Sequence, residues 1–233
     1  MSIGRAIRFG LVAGVVLTIF VHAATAETVS MRYDGTGAGS QVKITSALFN
    51  GNAFAGQIHQ TISGGSSIDG SWITFCTDLS QHVSGSFNPF EIVTVDFLPS
   101  GSPMGAAKAN AIRDLYAYAG GSQLLDSTAN ALAAAFQLAL WEVLVDFDDS
   151  ADGHALDITA GGFSATKTNG DAFSATLMSH LSSLFGAIGT VDSSGVQLVG
   201  LSSGQHQDQI IVIPAPAALA LVGAAAITRR RRR

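Results

Sequence analysis

Two short segments hold side chains whose types could do chemistry: Ser71-Trp-Ile-Thr-Phe-Cys76-Thr-Asp-Leu-Ser80 and Ala135-Phe-Gln137-Leu-Ala-Leu-Trp141-Glu142. Cys76 is the single cysteine of the 233-residue chain, which rules out a disulfide scaffold. A cysteine thiolate is intrinsically nucleophilic. Taken by composition alone, however, Cys76 reads as a small buried hydrophobe, and Gln137 as a polar residue at the edge of a helical stripe.

Other clusters say less. Asp148-Asp-Ser150-Ala-Asp152-Gly153 resembles the start of a calcium loop, with Asp148, Ser150 and Asp152 at positions one, three and five and glycine at six, but Thr159 stands where a bidentate glutamate belongs. An ordinary solvated acidic turn is the expectation there, and no metal site. The six histidines show no HExxH or paired spacing. There is no G-x-S-x-G elbow and no P-loop, and Gly35-Thr-Gly-Ala-Gly39 precedes a strand where a dinucleotide loop would need a helix. A hydrolase pairing Cys76 with His82 or His154 has no recognised motif behind it.

The elements that must position these residues divide into a β-rich first half and a helical second part. Strands are predicted over Thr28 to Tyr33, Gln41 to Phe49, Ala53 to Ile62, Ser71 to Thr77 and Glu91 to Leu98, separated by clusters such as Asp34-Gly-Thr-Gly-Ala-Gly39 and Ser63-Gly-Gly-Ser-Ser67. Ser102-Pro103 looks like a helix start, and the run from Met104 ends at Gly120-Gly121. A second helix opens at Asp126-Ser127 and carries Leu132, Phe136, Leu140, Val143 and Phe147 as an apolar stripe. A third runs from Gly170 to Phe185. Short strands return at Val196 to Leu201 and Asp208 to Ile213. The fold class expected is α+β: a β-rich barrel or sandwich with a helical subdomain of about three helices. Cys76 then sits on a strand and Gln137 on the second helix.

In this arrangement the two segments resemble those of bacterial thioester domains. That family places an aromatic-Cys-x-Asp segment on a strand and a Gln-x-Ala-aliphatic-Trp segment on a helix, here Phe75-Cys76-Thr77-Asp78 and Gln137-Leu138-Ala139-Leu140-Trp141. Phe136 stands where the family often has threonine. The resemblance implies an internal Cys76–Gln137 thioester, formed when the thiolate attacks the carboxamide carbon and displaces ammonia. Proximity supplied by the fold would drive the step. Such a bond is an activated acyl group that must be kept from water, with Phe75, Phe136 and Trp141 as shielding candidates. Asp78, His82 and Glu142 are the candidates for assisting it. No cofactor is implied.

The two ends read as processing segments. Residues 1 to 26 have the build of a secretory signal: Arg5 and Arg8, the apolar run from Leu11 to Val21, then Ala24-Thr25-Ala26, with cleavage expected after Ala26. At the other end Pro214-Ala-Pro216 precedes the apolar stretch Ala217 to Ile227 and five arginines, Arg229, Arg230, Arg231, Arg232 and Arg233. Eleven residues make about 16 Å of helix against a hydrocarbon core of about 30 Å, so the tail spans only if residues from Ile210 contribute. Arginines behind it would halt translocation. This layout resembles the PEP-CTERM sorting signal of Gram-negative exported proteins, with Ala215 where the commonest form has glutamate. It implies transient residence in the inner membrane, recognition by an exosortase-type processing enzyme, tail removal, and release to the cell surface or extracellular matrix.

Between these ends, residues 27 to 213 read as one domain, long enough for a real core. Seven of the twelve basic residues lie in the terminal segments, and all seventeen acidic residues fall between Glu27 and Asp208. A body so acidic repels phosphate backbones, and no nucleic-acid partner is expected. The leading expectation is an exported surface or matrix protein that acylates an amine or hydroxyl of a partner once, as a chemical adhesin and not a turnover enzyme. The alternative is a non-covalent structural protein of the extracellular polysaccharide or biofilm matrix with an inert Cys76.

Overall fold

A computed structural model describes residues 27–213; the expected export signal and sorting tail lie outside the described residues. The order is β1 (Thr28–Ser46), β2 (Asn50–Ser63), β3 (Gly70–Cys76), β4 (Asn88–Val93), α1 (Gly105–Ala119), α2 (Gly121–Leu124), α3 (Asn130–Asp146), β5 (Phe163–Lys167), α4 (Ala175–Ala187), β6 (Gln197–Ser202) and β7 (Gln209–Ile213). Every strand pairing is antiparallel. The ladder runs β2-β3-β7-β6-β4-β1-β5, and an additional β1–β2 pairing closes six strands into a ring, with β5 outside it. All six ring strands contribute to one apolar cluster, from Val29, Met31, Ile62, Phe90, Leu201 and Ile211 with Trp72 packed against it. The larger core lies between the ring and the helices.

β1 is one 19-residue strand where two were expected, because the Gly-rich stretch from Asp34 to Gly39 stays in the sheet. The register against β2 shifts between Tyr33 and Gly35 and again between Thr36 and Gly39. Bulges of this kind bend a strand and increase its twist. At the second bend Gly39 pairs with Gly56, and a Cβ on either would run into the opposite backbone. The bend lets β1 pair with β4 through Thr28–Met31 and with β5 through Val42–Ser46. It also exposes two amides: Ala38 N–H donates to Gln57 Oε1 (3.0 Å) and Gly39 N–H to Asn130 Oδ1 (3.0 Å). Gln57 Nε2 in turn donates to the carbonyls of Leu124 (2.8 Å) and Asp126 (3.0 Å). The bulge therefore fixes where α3 begins.

α3 packs against α1, α4, β1, β2 and β5. Every residue from Ala133 to Val143 is buried, so the apolar stripe read from sequence is part of an all-round buried helix, as expected for a central one. It starts at Asn130 and not at Asp126, whose carboxylate instead accepts the N–H and hydroxyl of Thr128 (both 2.7 Å) in a turn. Ser102 does not cap α1; Met104 holds that position without a side-chain cap. α4 begins at Ala175, capped by Ser174 Oγ accepting from Leu177 N–H (3.3 Å). The strand expected over Glu91 to Leu98 ends at Val93, and Val95–Phe97 turns as a 3-10 helix. β5 was not anticipated. Among the described residues no helix is long and apolar enough to cross a membrane.

Candidate functional site

The last residue of β3 is Cys76. On the side facing β2 the ladder stops at the Ile58–Thr74 pair, while on the other side β7 continues, pairing Cys76 with Gln209 and accepting Thr77 N–H at Asp208 O (3.0 Å). The N–H and C=O of Cys76 are thus left without a strand partner on the β2 side. Gln137 takes both: Cys76 N–H donates to Gln137 Oε1 (2.9 Å), and Gln137 Nε2 donates to Cys76 O (2.9 Å). Both residues are buried, at 1% and 0% exposure. Buried backbone groups require partners, and this carboxamide acts as a short surrogate strand.

The chain turns sharply after Cys76. The thiol donates to Asp78 O (3.0 Å) and Asp78 N–H donates back to Sγ (3.3 Å). Gln207 Nε2 donates to the same Asp78 carbonyl (3.1 Å) and to Gln81 O (3.1 Å), so strand β7's approach pins the turn. Burial pushes the Cys76 thiol well above its ordinary range; the Asp78 backbone and the nearby Trp141 indole act in the opposite direction, while Asp78 and Asp208 add to the rise by charge. Trp141, one helical turn beyond Gln137, is 2% exposed. Its Nε1 has no hydrogen-bond partner among the described residues. The indole N–H is thus a buried donor still free to take an acceptor.

A cavity of about 200 Å³ reaches Cys76 and Trp141 and is lined also by Tyr33, Phe49, Phe54 and His82. His82 is the one imidazole in this lining, and it is exposed to solvent. Phe75 and Phe136 do not line it. They pack edge-to-face with each other (4.7 Å) and with Tyr116 (6.0 and 4.5 Å) in the core. Of the three aromatics expected to shield the site, Trp141 alone faces the cavity, joined by Tyr33, Phe49 and Phe54, which the motif did not mark. Asp78 contributes its backbone; its carboxylate accepts the N–H and hydroxyl of Ser80 (both 2.7 Å). Asp208, also unmarked in the sequence, is a fully buried carboxylate held by the Ser100 and Ser203 amides. Burial, with Asp78 nearby, raises its pKa.

Glu142 lies on another face of α3, outside the cavity lining. Its Oε1 accepts Asp157 N–H (2.8 Å), and its Oε2 has no partner among the described residues. Burial, chiefly, pushes its pKa up to about 8, with Asp146 and Asp157 adding to the rise and the Asp157 amide opposing it. A folded pKa above the unfolded value means the native state holds the extra proton between the two. The stability this provides is complete below about pH 4.5 and is lost as pH rises through about 8. Glu142→Gln is expected to keep the bond to Asp157 and to flatten the fall in stability between pH 5 and 8 by roughly 1–2 kcal/mol. Urea unfolding of both proteins across that range measures it; parallel pH profiles would exclude the assignment. In the acidic turn, Asp148 Oδ1 accepts Ser150 N–H (2.9 Å) and its hydroxyl (2.7 Å).

Chemically, the Cys76 N–H already polarises the Gln137 carbonyl, at the position where an oxyanion would develop during attack on that carbon. Gln137 Nε2, on the same carbon, donates to Cys76 O. No known family profile and no curated protein matches the chain. Among solved structures it is similar to the N-terminal thioester domain of a surface protein from Clostridium perfringens, with 12% identity, a TM-score of 0.44, and coverage of 80% of this chain and 100% of that one.

Proposed function

We propose that the protein is an exported surface or matrix protein carrying an internal Cys76–Gln137 thioester, which acylates a partner's amine or hydroxyl and so attaches to it covalently. The observation that carries this reading is the double contact between Gln137 and the Cys76 peptide inside a buried site that an aromatic-lined cavity reaches. In formation, Sγ bonds to Gln137 Cδ, the Cδ–Nε2 bond breaks, and ammonia leaves with the thiol proton. In attachment, a partner amine bonds to the same carbon and the Cδ–Sγ bond breaks. One such event uses up the site. In this reading His82, which lines the cavity, takes a proton from the incoming amine. Export and exosortase-type tail removal would deliver the domain to the outside of a Gram-negative cell.

A second reading rests on the same two hydrogen bonds, since they also satisfy a strand end and the thiol is pushed towards its neutral form by burial. In that case Gln137 is structural, Cys76 is inert, and the protein is a non-covalent matrix component.

Intact mass spectrometry of the protein recovered outside the cell separates them. The expected species begins at Glu27, lacks Arg229 to Arg233, and is lighter than its sequence by one ammonia. Cys76→Ala should remove that deficit, and methylamine should replace the lost ammonia with an adduct mapping to Gln137. A mass equal to the sequence, unchanged by methylamine, establishes the inert reading.

A further inference from the structure

Three observations around the sulfur have no part in forming the thioester. Trp141 Nε1 is a buried donor without a partner, at the cavity that reaches Cys76. Burying such an N–H unpaired is costly, so a native structure that keeps one calls for a reason. Asp78 N–H points at Sγ from the turn (3.3 Å). The Asp78 carbonyl, which accepts the thiol proton (3.0 Å), also accepts from Gln207 Nε2 (3.1 Å), so it stays satisfied when the sulfur carries no hydrogen.

We propose that the Trp141 indole N–H and the Asp78 backbone N–H form a two-donor seat for the Cys76 sulfur, which holds it as a thiolate while a primary amine opens the thioester. The proposal rests on the thioester reading above and adds to it the means by which the leaving group departs. As the attacking nitrogen bonds to Gln137 Cδ, the Cδ–Sγ bond breaks and its electron pair goes to sulfur. Two N–H donors then meet the new negative charge inside a site with little water. A proton lost by the attacking nitrogen ends on sulfur, where the S–H again donates to Asp78 O. Without the seat, a thiol so disfavoured as an anion by burial would be a poor leaving group. The indole is thus a donor that finds its full partner only along the reaction, which is how an unpaired group can speed a step without stabilising the resting state.

The test replaces Trp141 by a benzothienylalanine, which keeps the bicyclic shape and has sulfur in place of N–H, alongside Trp141→Phe. The rate of methylamine addition to the mature protein is followed by intact mass at fixed pH. A hydrogen bond to a charged group contributes about 1.5–3 kcal/mol, so the benzothienyl protein should open on the order of tenfold to a hundredfold more slowly while still showing the full ammonia deficit. Opening within about twofold of wild type overturns the seat, and so does slowing in Trp141→Phe alone, which would make ring shape the cause. If the wild-type mass shows no deficit, the thioester reading has failed, and the seat is judged on the free thiol. Methyl methanethiosulfonate should then modify the benzothienyl protein severalfold more slowly than wild type at the same pH, and equal rates overturn it.

Discussion

With the proposed thioester in place, treating the protein with methylamine is expected to lower its thermal unfolding midpoint by about 8–16 °C. The proposed bond between Cys76 and Gln137 would close a loop spanning 61 positions, and in the chain-entropy account a covalent link over such a loop stabilises the fold by about 4 kcal/mol. For a domain of this size each kcal/mol corresponds to roughly 2–4 °C. Opening by methylamine restores the chain's freedom in the unfolded state, yet leaves an N-methyl carboxamide at Gln137 whose oxygen can still accept from the Cys76 N–H. The loss therefore reports mainly the cross-link. Cys76→Ala, which cannot form it, should melt at the same temperature with and without methylamine. An unchanged midpoint in a wild-type sample whose mass proves complete opening would show that the link does not stabilise the native fold.

Gln137→Ala is expected to be less stable than Cys76→Ala by about 3 kcal/mol, with each orphaned buried backbone group contributing roughly 1–3 kcal/mol. Neither variant can form the thioester, so their difference isolates the two hydrogen bonds from the carboxamide to the Cys76 peptide. Cys76→Ala keeps both bonds, because they go to its backbone, and removes only a small buried side chain. Gln137→Ala strands an N–H and a C=O at the end of β3 and leaves a void inside α3's fully buried face. Urea unfolding of the two variants gives the difference directly. Equal stabilities would mean that water enters and satisfies the strand end.

The residue types and order that place Cys76 on a strand and Gln137 on a helix were legible in the sequence, because β-propensity and the spacing of apolar residues are local properties. The mode of their contact was not. It depends on the β2–β3 ladder ending at Thr74 while β7, far along the chain, continues along β3, a register that no local pattern sets. The same holds for the division among the aromatics. Phe75, Phe136 and Trp141 carry the same apolar signal, yet two turn into the core and one to the cavity. By sequence the Asp34 to Gly39 stretch looks like a loop, since glycine marks turns more often than bends within strands; the pairing of Gly39 with Gly56 shows why glycine is needed there. Gln57, which ties that bend to the start of α3, carries no local signal of its task. β5 did leave a trace in the alternation of buried Phe163 and Ala165 with Ser164 and Thr166, but five residues among turn formers are too few to stand out.

The ring order also sets a timetable for synthesis. β7, the last strand among the described residues, is inserted between β3 and β6 and not added at an edge. Until Gln209 and Ile210 emerge from the ribosome, the end of β3 has neither of its partners on that side, and the turn that cradles the sulfur lacks the Gln207 contact. Pairings this far apart in sequence form late, after the cost of closing a long loop has been met. A nascent chain therefore holds both Cys76 and Gln137 well before the strand that completes their surroundings has been made.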